Sequence, residues 1–330
     1  MQASRWRISP RLRLLGVYLG LSLLMYLALR DAPLREIWNS LGQLRPWQIG
    51  LILLLNATVI VWMSLRWWVI VRAHHPRVPF LPLIGYRLSA FAVSYFTPGP
   101  QVGGEPMQVL YLHRNHGVTS ARGTAAVIMD KLLETLSGFI LLCLGLAATL
   151  RLGLLSNYGP VPRVAGLLLA AILLWPLLHL VLLYRSRHPI SWVLRRARPV
   201  MGTPQWARLI IISEHMASAF TRQRLPWLLA ALAFSVMALV GMGLEYFLMA
   251  SFLNVHLTAA QTVAGLTAGV LAFLLPLPGG LGALEASQVL VLSAFGVPAS
   301  VAISITLLMR GRDLLNGGLG LLLAGRVLKR

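Results

Sequence analysis

The chain has a single cysteine, Cys143, set inside an apolar run. One thiol excludes a disulfide framework and any thiolate metal site within the chain. Charge is scarce, at 12% of residues, and acid is scarcest: nine Asp and Glu stand against 29 Lys and Arg. No lysine follows the glycine-rich stretches in the way a phosphate-binding loop requires, so they are not nucleotide loops. No polar stretch is long enough for a separate soluble catalytic domain. What remains is apolar: 57% of the residues are hydrophobic and the mean hydropathy is +0.74. Several runs approach the roughly 20 apolar residues that cross a bilayer. The fold class is therefore an all-α polytopic membrane protein. In a soluble protein the net charge of +20 would point to nucleic acid. Here basic loops set topology and touch anionic lipid heads, and no nucleic-acid partner is expected.

One short stretch occurs twice. Pro98, Gly99, Glu105, Gln108, Val109, Leu110 and Leu112 recur at one fixed offset as Pro278, Gly279, Glu285, Gln288, Val289, Leu290 and Leu292. The shared residues include a helix breaker, a carboxylate and an amide, which hydrophobic composition alone would not repeat. Past the tips, Lys131-Leu132-Leu133-Glu134 with Gly138 aligns with Asp313-Leu314-Leu315-Asn316 with Gly320. Internal duplication of this kind marks many transporter folds.

Taken in order, residues 1–46 read as a retained signal-anchor helix and loop. Arg5, Arg7, Arg11 and Arg13 hold its start in the cytoplasm, and an apolar run follows over 14–29. The first membrane repeat covers 47–184. It opens with a crossing at 47–71, where Arg66 reads as a snorkelling interfacial residue beside Trp67 and Trp68. Residues 81–97 and 105–113 are each too short or too broken to cross. They read as a re-entrant pair broken at the Pro98-Gly99 tip. Crossings at 120–150 and 162–184 follow. A basic cytoplasmic linker spans 185–225, with an interfacial amphipathic helix expected around 206–220. The second repeat covers 226–330: a crossing at 226–252, a re-entrant pair at 261–277 and 282–295 broken at Pro278-Gly279, and a crossing at 299–326. About six full crossings place both termini and every arginine-rich loop on the cytoplasmic side of the cell membrane. The two re-entrant pairs then enter from opposite faces, so the repeats are inverted.

Ionisable residues inside the apolar runs are Glu105, Asp130, Lys131, Glu134, Glu245, Glu285, Arg310, Arg312 and Asp313. Each costs roughly 2.5–3.5 kcal/mol at the bilayer centre, so they pair with one another or line a hydrated cavity. Lys131 with Glu134, and Arg310 with Asp313, have helical i,i+3 spacing. Lys131 and Asp313 hold equivalent repeat positions with opposite sign, which allows a meeting across the repeat axis. Glu105 and Glu285 open half-helices that follow the tips. There a carboxylate either caps free amides or holds a cationic group of a substrate. Gln108 and Gln288, one turn on, can hydrogen-bond a polar head. The adjacent His74 and His75 are weak grounds for a metal, and no metal or cofactor is expected.

The stretches from Thr97 to Val109 and from Pro276 to Glu285, with Met129-Asp130-Lys131-Leu132-Leu133-Glu134 between them, resemble the membrane domain of lysylphosphatidylglycerol synthases and related flippase-like integral membrane proteins. The resemblance covers nearly the whole chain. It implies a lipid flippase-like protein of two inverted repeats. The soluble aminoacyl-transfer domain of the true synthases has no counterpart here, so the expectation is that this chain does not make that lipid.

The reading is a non-enzymatic translocase. It moves an anionic or zwitterionic lipid, phospholipid or polyprenyl-linked, between leaflets. Without an ATP site, movement is passive or ion-coupled. The translocation residues named by this reading are Glu105, Gln108, Glu285, Gln288, Asp130, Lys131, Glu134, Arg310 and Asp313. Membrane lipids are the expected partners, and a separate lipid-modifying enzyme and a homo-oligomer are both compatible. Two other classes stay open: a membrane enzyme partner in lipid or glycolipid modification, and a small-solute secondary transporter.

Overall fold

A computed structural model describes residues 34–73, 75–96, 103–153, 175–201, 205–275 and 277–328. The signal-anchor run at 14–29, the first tip at Pro98-Gly99 and most of the 162–184 crossing lie outside these residues. Among the described residues the secondary structure is helical, without a strand, as the apolar composition requires: inside a bilayer a helix satisfies its own backbone polar groups.

Helix α1 (Leu34–Gly42) lies where a loop is expected and buries Ile37. The first half then runs through α2 (Pro46–Arg72), α3 (Leu81–Phe96), α4 (Glu105–His116) and α5 (Ser120–Arg151). Helix α6 (Trp175–Tyr184) leads to α7 (Pro189–Met201) and α8 (Gln205–Gln223). The second half is α9 (Leu225–Phe252), α10 (Ala259–Phe273), a 3-10 turn (Pro278–Gly280), α11 (Ala283–Ser293) and α12 (Ala299–Leu328). Among the described residues three helices, α2, α5 and α9, are long and apolar enough to cross a membrane. Helix α12 is 30 residues long and carries Arg310, Arg312 and Asp313 within it.

Among the described residues the order long helix, short helix, short helix, long helix thus occurs in α2–α5 and again in α9–α12, where the 3-10 turn separates the short pair. The short helices have 16, 12, 15 and 11 residues. At 1.5 Å per residue none spans the roughly 30 Å hydrocarbon core. Each long helix before a tip packs on its counterpart, α2 on α9. The first short helices cross over: α3 packs on α12, and α10 packs on α5.

Close approach at these crossings depends on small residues. A Cβ on Gly320 of α12 would lie 2.1 Å from the Leu88 carbonyl oxygen of α3. Ser89 Oγ of α3 donates to the Gly320 carbonyl at 3.2 Å. At the other crossing, Gly145 of α5 faces Thr267 of α10, and Thr267 Oγ1 donates to the Leu141 carbonyl at 3.3 Å. Small residues let backbones meet and hydroxyls bridge them, which replaces the hydrophobic effect as the association force inside lipid.

The helix near 206–220 forms, as α8, but it is not a free interfacial helix. It packs on α5 and buries Ser213, Glu214, Ala217, Ser218, Phe220 and Thr221. Glu214 accepts from the amides of Ile190 at 3.0 Å and Ser191 at 2.6 Å, satisfying free donors at the start of α7. Helix α7 has the outward amphipathic face instead: Trp192 and Val193 are exposed, and the Arg196 guanidinium lies 5.9 Å from the Trp192 ring.

Candidate functional site

The intramembrane charges gather into three groups. The largest joins four helices of the first half. Arg66 Nε of α2 donates to Asp130 Oδ1 of α5 at 2.6 Å, and Arg66 Nη2 to Glu134 Oε2 at 3.1 Å. Arg87 Nη2 of α3 meets Asp130 Oδ2 at 2.5 Å, with Arg87 Nη1 at 3.8 Å from Glu134. Lys131 Nζ donates to Glu134 Oε1 at 2.7 Å and lies 3.3 Å from Glu105 Oε1 of α4. Glu105 Oε2 accepts the Gly103 amide at 2.7 Å. Three cations therefore face three carboxylates. The group is graded in access: the Arg66 side chain is 2% exposed, whereas Glu134 and Lys131 are 33% and 38% exposed.

Why the chain places them so is local. Asp130 and Glu134 are i,i+4 on α5 and share one face, toward α2 and α3. Lys131 and Glu134 are i,i+3 and form the expected pair. Glu105 is the first residue of α4, with Pro106 next, so its carboxylate sits among free amides. Gly117, with φ +65°, ends that helix, and the Val118 amide closes on the Leu112 carbonyl.

The second group fastens the second tip. Arg310 of α12 binds Glu285 of α11 through two bonds, Nε to Oε1 at 2.8 Å and Nη2 to Oε2 at 3.1 Å. Arg310 Nη2 also donates to the Gly280 carbonyl at 3.1 Å, and Nη1 to the Gly279 carbonyl and to Tyr95 Oη of α3 at 3.4 Å. Gly279 has φ +54°, and a Cβ there would come within 3.0 Å of the Tyr95 ring. The tip is thus held against a helix from the other half.

The third group lies between α2, α9 and α12. Arg312 Nη2 and Nε both donate to Asp313 Oδ1, at 2.7 and 2.9 Å, and Arg312 Nη1 lies 3.1 Å from Glu245 Oε2 of α9. Asn316 Nδ2 donates to Asn56 Oδ1 at 2.9 Å beside them.

Several expectations from the sequence change here. Arg66 is not a snorkelling residue; it is buried and neutralises Asp130 and Glu134. Arg310 turns to Glu285 rather than to Asp313, because bidentate geometry and two tip carbonyls are available there. Lys131 is engaged by Glu105 and Glu134, and Asp313 by Arg312, so each has its partner within its own half. Gln288 is fully buried: it accepts from Tyr246 Oη at 2.6 Å and donates to the Gly265 carbonyl at 3.0 Å. Gln108 is buried as well. Arg66, Arg87 and Tyr95 were not singled out by sequence as site residues. For the arginines the signal available was the unpaired charge in an apolar run.

The transmembrane-region model of lysylphosphatidylglycerol synthase matches residues 13–320. The chain belongs to that family. It is a membrane protein of the lysylphosphatidylglycerol synthase transmembrane-region type, and the motifs at Glu105, Asp130 and Glu285 fall within the matched residues. No curated protein and no solved structure matches the chain.

Proposed function

We propose that this protein moves an anionic or zwitterionic lipid, phospholipid or polyprenyl-linked, between the leaflets of the cell membrane. The observation that carries the reading is the graded charge group at α4 and α5. Its inner pair is sealed, and its outer groups, Glu105, Lys131 and Glu134, are partly open. A head group that enters there exchanges one internal ion pair for another: its phosphate takes Lys131 and the amides at the start of α4, and its ammonium takes Glu105 or Glu134. The acyl tails stay in lipid. The family match to a lysylphosphatidylglycerol synthase membrane region supports a lipid as cargo. The recurrent helix order supports two repeats that work in opposite orientation, with the basic 185–225 linker and both termini on the cytoplasmic side.

Fluorescent-lipid translocation in proteoliposomes tests this, with the wild-type chain and Glu105→Gln. Loss of one charge-assisted contact of about 1.5–3 kcal/mol should slow translocation at least about tenfold. A wild-type protein that moves no anionic, zwitterionic or polyprenyl lipid overturns the reading. Translocation untouched by Glu105→Gln keeps the function and returns Glu105 to capping.

A further inference from the structure

The three charge groups differ in balance. Arg66, Arg87 and Lys131 offset Asp130, Glu134 and Glu105, and Arg310 offsets Glu285. In the third group, among the described residues, the single cation Arg312 faces two carboxylates, Asp313 and Glu245. Both carboxylates are buried, Glu245 to 1% exposure. An uncompensated carboxylate in an apolar interior is costly enough that the group takes a proton or binds a cation instead.

The two carboxylates are not held alike. Asp313 accepts two bonds from Arg312. Glu245 has a single contact to Arg312, at 3.1 Å and poorly aligned, with the neutral Asn56 side chain as its other polar neighbour. Its charge is the less secured of the two. Among the described residues no second cation lies within ion-pair distance of Glu245. Helix α12 brings Arg312 and Asp313, and Arg310 is engaged by Glu285 and the tip. Helix α2 brings the neutral Asn56, whose Oδ1 accepts from Asn316 and whose amide is left to Glu245; its Arg66 is engaged in the first group and its Arg72 lies over the Trp68 ring. Helix α10 has no ionisable residue. Helix α5 contributes Asp130, Lys131 and Glu134, all engaged in the first group, with Arg122 beside His75 and Arg151 in its last turn. Helix α8 contributes Arg208, Glu214, which caps α7, His215, which lies against His188, and Arg222, which donates to Ser186.

We propose that Glu245 is a proton-binding site inside the membrane domain, and that protonation releases α9 from α12. The ionised carboxylate holds Arg312 and so ties the two helices. A proton from water converts it to a neutral acid; one O–H bond forms, and Arg312 stays with Asp313. Loss of the proton restores the tie. Arg312 is partly exposed and gives water a way to the pair. This holds whether or not the cargo is a lipid. If it is, Glu245 is where a proton gradient would act on transport.

Infrared difference spectroscopy of the full chain in lipid, titrated from about pH 4 to about pH 9, tests it, since this range brackets ordinary and strongly shifted carboxyls. Labelling glutamate with carboxyl-13C marks glutamate bands. The expected result is a labelled band of a protonated carboxylic acid that appears and disappears with pH and is lost completely in Glu245→Gln. In Glu245→Asp, which keeps a carboxyl if the amide variant fails to fold, the corresponding band should no longer shift with the glutamate label. A set of titrating bands identical in wild type and both variants overturns the proposal. So does a Glu245 band that never titrates, or one displaced by sodium at constant pH, which would make the ligand a metal cation. None of these readings depends on lipid movement.

Discussion

Arg66 and Asp130 meet at 2.6 Å in the membrane interior although 64 positions separate them. The contact ties α2 to α5, and Arg87 extends it to α3. Breaking such a buried pair from one side leaves an uncompensated charge. Arg66→Ala and Asp130→Ala should each cost about 3–5 kcal/mol. The paired replacement Arg66→Met with Asp130→Leu should cost less than the two single losses added together. Denaturant titration in mild detergent measures all three.

The crossing of α3 and α12 makes a sharper steric statement. Gly320→Ala would press a methyl into the Leu88 backbone and should cost about 1–3 kcal/mol. Gly318, two residues away, has open space around it. Gly318→Ala should be neutral or stabilise by up to about 1 kcal/mol, as removing glycine from a helix interior does. Thermal melting of the two variants separates packing from propensity.

Gln288 is tied to Tyr246 and to the Gly265 backbone, so it holds α11 to α9 and α10. Gln288→Ala and Tyr246→Phe should both destabilise, and their double-mutant cycle should show a coupling of about 0.5–3 kcal/mol. A Gln288 that instead served only to bind cargo would leave stability unchanged and alter translocation alone.

His188 lies before α7, with its ring 3.8 Å from that of His215. Burial, then the neighbouring His215, with Arg195 adding to it and Glu214 opposing, hold His188 below the ordinary imidazole value. A depressed folded-state value means that the fold favours neutral imidazole. Its contribution is present above about pH 6.5, the unfolded value, and is lost as pH falls through the folded value. Acidification should therefore lower the hydrogen-exchange protection factors of α7, measured relative to the intrinsic amide rate at each pH, and His188→Gln should flatten that acid-side response.

How much of this was legible in the chain depends on distance along it. Lys131 and Glu134 are one turn apart, and helical spacing finds their bond directly. Glu105 opens its helix because Pro106 suits the first helical turn. The recurrence of Pro-Gly, Glu and Gln-Val marked where both short helices resume. Arg66 was misread because periodicity reports neighbours within a helix, and its partners stand on another. Helix α8 misled for a related reason: an amphipathic stripe looks the same whether it faces lipid heads or protein, and only Glu214, an acid among arginines, hinted at a buried face. Helical spacing offered Arg310 only Asp313, because its bidentate partner Glu285 stands on another helix.

The bond from Ser89 to Gly320 spans 231 positions, and it closes a crossing that α3 cannot make with anything earlier in the chain. During synthesis α3 is therefore placed in the membrane long before α12 emerges from the ribosome. Until then its serine and its small-residue groove lack the surface that will cover them. Biogenesis must shelter this half-built intermediate, and a chain stopped short of α12 should be read by membrane quality control as an orphan and degraded.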